Sequence, residues 1–274
     1  MEAGRALSVC GVSCTAPFLV YALLRLFSFP DSPLLIFTAL STAATLSLLL
    51  SQRLYLVWCQ SFGLGAAFLI LALAGWQQMI PPAFALYGLF FVFFHWSEFV
   101  ATGLWSPANL KASSFLLNHS REYWLAAVAS WTEFTLEFYF FPGRTFSIRA
   151  LLCLLGEAIR LLAMRTAGRS FSHVVQDKKG EEQVLVTEGL YACMRHPAYS
   201  GWFLWSVGTQ VLLVNPLCSF AFSLVVWHFF QQRILYEEYA LVHHIFGSKY
   251  VEYQRQVHSG IPFVSGYDPE DPNF

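Results

Sequence analysis

Charged residues are scarce in this chain of 274 residues: they make up 12% of it, whereas a soluble domain carries roughly 25%. Hydrophobic residues account for 56% and aromatic residues for 18%. This composition predicts a polytopic membrane protein. The formal net charge of −1 is uninformative about nucleic acid. No basic stripe with interleaved aromatic residues occurs, so no nucleic-acid partner is expected.

Motifs typical of soluble cofactor or metal sites are also missing. The sequence has no Gly-x-Gly-x-x-Gly after a strand, no P-loop and no His-Glu-x-x-His, which argues against a Rossmann methyltransferase or dehydrogenase domain. The six cysteines include no Cys-x-x-Cys pair, and we interpret them as buried small apolar residues. Four histidines have spacings that match no standard metal site, so no metal is expected: His173, His196, His243 and His244.

Long apolar runs fill most of the chain. A spanning helix needs about 20 mostly apolar residues, and six runs qualify before the last apolar block: about 7–27, 33–50, 54–76, 82–105, 115–141 and 147–166. The first run exceeds the apolar region of about 7–15 residues in a cleaved signal peptide, so we expect a retained first span. Short connections with proline or polar residues join the first four runs, which predicts helical hairpins.

The last apolar block is divided by Asn215-Pro216, a turn signal. Each half, 199–214 and 217–232, is barely long enough to cross a bilayer, so we predict a tight helical hairpin. The segments 170–199 and 233–263 then face each other on one side of the membrane. The predicted fold class is an all-α integral membrane protein with about eight transmembrane helices, the last two forming the hairpin.

Basic residues indicate the orientation, because Lys and Arg are enriched in cytosolic loops. They flank the final hairpin on both sides: Arg165, Arg169, Lys178, Lys179 and Arg195 before it, and Arg233, Lys249 and Arg255 after it. Both flanks are therefore predicted to be cytosolic, and counting back through six spans places the N-terminus in the cytosol as well. Arg144 and Arg149 fall on the far side, in conflict with the rule.

Ionisable residues also lie within the apolar runs. His95 and Glu98 share one helix face, as do Glu133 and Glu137, and Glu157 stands apart. Such residues mark functional sites by default. They also tie helices together, and we interpret both pairs as structural.

The stretch Arg195-His-Pro-Ala-Tyr-Ser-Gly201 is predicted to begin a helix. Pro197 suits the first turn, where its missing N–H costs nothing. The free N–H groups of that turn and the helix dipole would form a site for an anion such as a carboxylate. In isolation, Arg195 and His196 could equally mark a membrane boundary, with Tyr199 as an interfacial anchor.

Arg233 and Glu237 lie four residues apart on a predicted helix, while Glu238 is rotated about 100° from Glu237. The simplest interpretation is a solvated intrahelical ion pair worth about 0.3–0.5 kcal/mol. However, the pair leaves the hairpin on the side where 195–201 enters it. We therefore favour a binding site with one cationic and one acidic arm, in which the arginine fork suits a carboxylate.

A set of polar stretches lies between about residues 110 and 263. It consists of Ser114-Phe-Leu-Leu-Asn-His-Ser120 with Glu122-Tyr123, Glu133-Phe-Thr-Leu-Glu137, Ala163-Met164 with Thr166-Ala-Gly168, His173-Val-Val-Gln176, Gly189 with Tyr191, Arg195-His-Pro197 with Tyr199 and Gly201, and Arg233 with Glu237-Glu238. This set resembles the isoprenylcysteine carboxyl methyltransferase family, in its eukaryotic form. The C-terminal members recur in a wider superfamily that includes phospholipid methyltransferases and some sterol reductases. The Ser114–Ser120 and His173–Gln176 stretches are more specific to the eukaryotic prenylcysteine enzymes.

The resemblance implies an enzyme that methylates the C-terminal carboxylate of prenylated cysteine, with S-adenosylmethionine as methyl donor and no metal. Its partners would be small GTPases and other CaaX-processed proteins, together with membrane lipid. It implies an endoplasmic-reticulum membrane protein whose active site and both termini face the cytosol. We expect about four N-terminal transmembrane helices in 1–110 and a catalytic core in 111–274, with a cofactor pocket built from the 170–199 loop and the 233–263 tail.

Site residues follow from the same resemblance. Arg233 would bind the substrate carboxylate. The cofactor contacts would be Gln176, Gln183, Val184, Leu185, Val186, Tyr191, His196, Pro197, Ala198, Tyr199 and Glu237. Family members often carry His where this chain has Gln183; a backbone contact would survive that change, whereas a side-chain contact is in doubt.

Three alternative functions compete with this hypothesis. A phospholipid N-methyltransferase shares the C-terminal motif and the donor, but would need no carboxylate-binding arginine. A nicotinamide-dependent sterol reductase usually has a longer chain. A transporter or scaffold would bind no cofactor and usually contains an internal repeat, which the sequence lacks.

Overall fold

The computed structural model describes residues 2–26, 54–117, 120–141, 150–180 and 183–269. These residues form α-helices and short helical turns, with no β-strand among them. The helices are α1 (Glu2–Leu26), α2 (Tyr55–Trp76), α3 (Pro82–Trp105), α4 (Arg121–Phe140), α5 (Ala150–Ala167), α6 (Pro197–Leu213), α7 (Pro216–Ala240) and α8 (Ser248–Gln256). The prediction of an all-α protein is confirmed for this part of the chain.

Short helical turns connect several of the helices. They are 3₁₀ turns at Pro107–Asn109, Ala112–Phe115, Gly168–Ser170 and Gly189–Ala192, and a π-helical turn at Leu241–Ile245. The run predicted to begin at 115 therefore becomes helical only at Arg121. Ser120 explains that start, because its Oγ accepts the N–H of Tyr123 at 3.2 Å and caps α4.

Three described helices are long and apolar enough to cross a bilayer: Ala3–Ala22 within α1, Tyr55–Trp76 and Pro82–Trp105. The run at 33–50 lies outside the described residues. The protein is therefore a membrane protein with apolar helices, and the count of about eight spans stays a prediction.

The chain divides into two compact units, Met1–Asn118 and His119–Phe274. In the first unit, α1, α2 and α3 pack around a core that includes Phe99 and Phe115, whose rings stack at 4.1 Å. His95 is buried there, with Nδ1 2.7 Å from the carbonyl oxygen of Phe115. His95 thus ties a helix to a turn, which matches its structural interpretation. The predicted domain boundary at 110/111 stays a prediction.

In the second unit, α5 and α6 pack backbone against backbone. A Cβ atom added to Gly156 would lie 2.4 Å from the backbone nitrogen of Trp205, and one added to Gly201 would lie 2.6 Å from that of Arg160. Only glycine permits so close an approach. This contact holds the start of α6 beside the end of α5.

Val214 and Asn215 join α6 to α7. Val214 adopts a left-handed conformation with φ of 63°, and Pro216 starts α7. Asn215 is fully buried and donates from Nδ2 to the carbonyl oxygen of Ser130 at 2.9 Å. Glu133 accepts the N–H groups of Leu217 and Cys218, both at 2.7 Å. Glu133 therefore caps the N-terminus of α7, where a carboxylate also complements the helix dipole.

Candidate active site

A cleft lies in the second unit, lined by the segment after α5, the start of α6, the end of α7, the π-helical turn and α8. Its volume is about 720 Å³, including the open mouth. Apolar and aromatic walls such as Phe171, Leu185 and Phe246 surround Glu237, the one acidic lining residue among those that the structure describes. This mixture of apolar walls and a few polar groups is typical of a small-molecule site.

The cleft brings together most of the residues expected to contact a cofactor. Those in its lining are Gln183, Val184, Leu185, Val186, Tyr191, His196, Ala198, Tyr199 and Glu237. Their grouping results from the fold, because they come from three separate segments of the chain. Gln176, Pro197 and Arg233 lie outside this lining.

The two glutamines are engaged in their own loop. Gln176 donates from Nε2 to Ser172 Oγ at 2.9 Å and to the carbonyl oxygen of Val174 at 3.0 Å. Gln183 accepts the N–H of Gly180 on its Oε1 at 3.1 Å. Gln183 therefore closes the turn before it with its side chain.

The backbone of 184–186 is well suited to receive a polar, planar ligand edge. Val184 donates its N–H to Ser170 Oγ at 3.0 Å, which fixes the segment against the start of the loop. Within the described residues, the N–H groups of Leu185 and Val186 have no protein acceptor. Both residues line the cleft, so their donors are available to a bound molecule.

Glu238 is the most heavily hydrogen-bonded side chain beside the cleft. Its carboxylate is fully buried and accepts from Arg195 Nε at 2.7 Å, with His196 Nε2 2.8 Å from Oε1. The Glu238 carboxylate also accepts hydrogen bonds from the Tyr250 hydroxyl at 3.1 Å, from Gln254 Nε2 at 2.9 Å and from the backbone N–H of Tyr267 at 2.9 Å. The carboxylate thus joins the start of α6, α8 and the C-terminal tail.

The ionisation of Glu238 follows from these partners. Burial opposes ionisation, but the hydrogen bond and charge of His196 and those of Arg195 outweigh it, so the pKa of Glu238 falls from 4.5 to about 2. Burial raises the pKa of Tyr250 well above its usual value and that of Tyr253 to about 12. Both phenols therefore stay protonated near neutral pH, so that Tyr250 donates to Glu238 and Tyr253 donates to the carbonyl oxygen of Tyr191 at 2.5 Å.

Arg195 holds the C-terminal tail in place through hydrogen bonds. It is buried, and its guanidinium donates to the carbonyl oxygens of Val257 and Ser265, the latter at 2.5 Å. The tail passes so near that a Cβ on Gly266 (φ 89°) would lie 1.9 Å from Glu238 Oε2. Arg195 therefore does more than mark a membrane boundary.

The first turn of α6 offers fewer donors than the sequence suggested. Pro197 lies at its first position, as predicted, but the N–H groups of Tyr199 and Ser200 both donate to the carbonyl oxygen of His196, at 3.0 and 3.1 Å. An anion at this terminus would depend mainly on the helix dipole and on Ala198.

Arg233 and Glu237 do not pair directly; within the described residues, the Tyr199 hydroxyl stands between them. Arg233 Nε donates to that hydroxyl at 3.2 Å, and the hydroxyl donates to Glu237 Oε2. Arg233 Nη2 also donates to the carbonyl oxygen of His173 at 2.8 Å. The expected cationic and acidic arms are thus present, but they are separated by a phenol.

Sequence reasoning missed several residues of the site. Arg160 is 2% exposed, donates from Nη1 to the carbonyl oxygen of Ala198 at 3.0 Å and lies 5.0 Å above the Trp202 ring. A lone arginine inside an apolar run was the available signal. Tyr250 and Tyr253 line the cleft from α8, and their i,i+3 spacing predicts a shared face. The described residues contain no cluster of three or more His, Cys, Asp or Glu side chains that could hold a metal ion.

Comparison with known proteins gives a consistent result. Residues 149–243 match the model of the isoprenylcysteine carboxyl methyltransferase (ICMT) family. The chain is 46% identical over 213 residues to the protein-S-isoprenylcysteine O-methyltransferase of Tribolium castaneum, covering 74% of this chain and 75% of that protein. It is 43% identical over 228 residues to the Homo sapiens protein of the same name, covering 81% and 80%. The solved structure of the eukaryotic intramembrane Ras methyltransferase ICMT superposes with a TM-score of 0.86 at 36% identity, covering 97% of this chain and 99% of that chain.

Proposed function

The chain belongs to the isoprenylcysteine carboxyl methyltransferase family, and from that premise we propose how its cleft performs the reaction. The protein is a carboxyl methyltransferase that esterifies the C-terminal carboxylate of a prenylated cysteine. In our proposal the methyl donor is S-adenosylmethionine, bound in the cleft of the second unit, and Arg233 binds the carboxylate beside it.

The observation that carries this proposal is the state of the Arg233 guanidinium. Tyr199 and the His173 carbonyl occupy Nε and Nη2, and both acceptors are uncharged. Among the described residues, Nη1 has no hydrogen-bond partner. The arginine is therefore oriented, keeps its charge and presents a free donor edge to an incoming carboxylate.

The carboxylate needs no general base. A C-terminal α-carboxyl has a reference pKa of about 3.3–3.7, so it is ionised at neutral pH. When bound, S-adenosylmethionine supplies an electrophilic methyl group on a sulfonium. The task of the protein is to align the two and exclude water, and positioning of this kind supplies up to about 7–11 kcal/mol. Apolar walls such as Phe171 and Phe246 suit that task.

The chemical groups in each segment of the cleft suggest which part of S-adenosylmethionine it would contact. The free N–H groups of Leu185 and Val186 suit the polar edge of a purine. Tyr191 offers an aromatic face, and Glu237 suits ribose hydroxyls or the amine of the methionine part. Gln183 contacts the methyl donor through its backbone, since its side chain accepts the N–H of Gly180. A backbone contact does not depend on the side chain, so glutamine can replace the histidine that is common in the family.

The location and partners are proposed on the same basis. We infer an endoplasmic-reticulum membrane protein with about eight spans, the last two a tight hairpin formed by α6 and α7, and with the cleft and both termini in the cytosol. Prenylated small GTPases and other CaaX proteins are the proposed acceptors. Residues 111–274 would form the catalytic core, with membrane lipid around its apolar helices.

The direct test is transfer of labelled methyl from S-adenosylmethionine to N-acetyl-farnesylcysteine by purified protein in detergent, with phosphatidylethanolamine as a second acceptor. We expect base-labile methyl ester on the prenylcysteine and none in lipid. Arg233→Lys keeps the charge but loses the planar fork, so we expect kcat/KM for the prenylcysteine to fall about 10- to 100-fold.

Arg165→Lys is the matched control, because Arg165 is an exposed arginine on α5 away from the cleft lining. It should keep the kcat/KM of the unmodified protein. Turnover by Arg233→Lys equal to that control would remove Arg233 from the acceptor site, and label in phosphatidylethanolamine would reassign the acceptor.

A further inference from the structure

The geometry of Tyr199 points to a role distinct from contact with the cofactor. Arg233 and Glu237 lie one helical turn apart, the spacing at which arginine and glutamate side chains normally pair. Here the phenol hydroxyl accepts from Arg233 at 3.2 Å and donates to Glu237. It occupies the position in which a direct ion pair would otherwise form.

The phenol is held in that position by its neighbours. Its ring stacks on His196, with centroids 5.4 Å apart and planes 8° apart, and on Phe230, with centroids 4.9 Å apart. Phe230 is 1% exposed and belongs to an apolar cluster formed by α6, α7 and the C-terminal tail. A ring packed against two aromatic neighbours keeps its hydroxyl at one point, so the separation of the two charges is built into the packing.

The electrostatic consequence concerns Arg233. A carboxylate in direct contact with a partly buried guanidinium would satisfy its charge and occupy its fork. With Tyr199 in place, the two described acceptors of Arg233 are a hydroxyl and a carbonyl, and neither neutralises it. The charge then remains available to a substrate carboxylate.

We propose that Tyr199 is a positioning residue that keeps Arg233 from pairing with Glu237, so that Arg233 stays open to the acceptor carboxylate. This inference rests on the proposed role of Arg233 in binding that carboxylate. In this inference Glu237 also competes with the substrate carboxylate for Arg233. The Tyr199 hydroxyl keeps the two side chains apart.

The test is a double-mutant cycle on steady-state methylation of N-acetyl-farnesylcysteine at saturating S-adenosylmethionine. Tyr199→Phe keeps the stacked ring and removes the hydroxyl. We expect KM for the prenylcysteine to rise at least about tenfold, the scale of a hydrogen bond to a charged group. Glu237→Gln in the Tyr199→Phe background removes the competing charge and should bring that KM back to within about threefold of the unmodified protein.

Tyr239→Phe is the matched control. Tyr239 is an exposed tyrosine on α7 whose ring packs against His243 and Tyr267, and in the described residues its hydroxyl makes no hydrogen bond. Its substitution should leave the KM for the prenylcysteine unchanged. A purely structural role of Tyr199 would lower the melting temperature and kcat without any rescue by Glu237→Gln.

The outcomes separate this inference from the proposed function. If Arg233→Lys leaves the prenylcysteine KM unchanged, the role of Arg233 itself fails. If Arg233→Lys raises that KM but Tyr199→Phe does not, or if Glu237→Gln gives no rescue, only the inference fails. Should Tyr199→Phe not accumulate by itself, the double variant Tyr199→Phe/Glu237→Gln decides: a prenylcysteine KM within about threefold of the unmodified value supports the inference, and a tenfold rise overturns it.

Discussion

At the scale of single residues, one buried carboxylate connects three of the segments that build the site. Glu238 receives donors from the start of α6, from α8 and from the tail. The carboxylate and its partners stabilise the fold together, because removal of the carboxylate would leave each partner as a buried, unsatisfied donor or charge. Glu238 thus positions residues that face the cleft without lying in its lining.

Replacement of Glu238 by Gln tests this role. The amide keeps the size of the side chain but leaves the buried Arg195 without its counter-charge, and loss of one partner of a buried pair costs about 3–5 kcal/mol. We expect a large fall in melting temperature at pH 7 in detergent, measured by thermal unfolding. Glu252→Gln, at an exposed position on α8, should melt with the unmodified protein.

The same variant predicts a pH dependence. The pKa of Glu238 is lowered on folding, from 4.5 to about 2, so its stabilisation is fully present above about pH 4.5 and is lost as the pH falls towards 2. The difference in melting temperature between unmodified protein and Glu238→Gln should therefore shrink as the pH falls from about 5 to about 3. A difference that stays constant over this range would contradict the lowered pKa.

At the scale of elements, the close contact of α5 with α6 sets the geometry of the cleft. The two helices touch through Gly156 and Gly201, and a Cβ on either would overlap backbone atoms of the other helix. Backbone cannot move aside as a side chain can, so any added methyl group must push the helices apart. The helix that presents His196 and Tyr199 would move with it.

Gly201→Ala should therefore lower both stability and activity, by about 1–3 kcal/mol in unfolding free energy, the usual cost of overpacking. The matched control is Gly63→Ala in α2, where an added Cβ meets no atom within 4 Å. That change is expected to be neutral or stabilising, because alanine favours the helix. Thermal unfolding of the two variants in one detergent decides; equal melting temperatures would refute the contact.

At the scale of the whole molecule, cysteine labelling can test the proposed orientation of the chain in the membrane. The interpretation of all six cysteines as buried is wrong for Cys193, which is exposed just before α6, in the segment proposed to be cytosolic. Cys14 and Cys59 are partly buried, and Cys10, Cys153 and Cys218 are buried. A membrane-impermeant maleimide added to sealed microsomes should label Cys193 from the outer, cytosolic face. Cys193→Ser should lose that label. Labelling that appears only after permeabilisation would reverse the proposed orientation.

The amino-acid sequence was enough to predict the class, the family and the approximate positions of the helices that the structure describes. Apolar runs and local signals such as Asn215-Pro216 act over a few residues, so they can be read along the chain. The resemblance carried by stretches such as Arg195-His-Pro197 was confirmed by relatives 46% and 43% identical. The roles of individual site residues stay predictions, although most of them line one cleft.

The partners of the polar residues, in contrast, became evident from the folded structure alone. Glu238 joins Arg195 across 43 positions of sequence, and Tyr199 reaches Glu237 across 38. Helical spacing alone placed Arg233 beside Glu237 and gave no reason to separate them. A third side chain from another helix, Tyr199 of α6, separates them, and this contact depends on how closely α6 packs against α7. No periodicity in the sequence encodes that distance, because it is a property of two surfaces brought together.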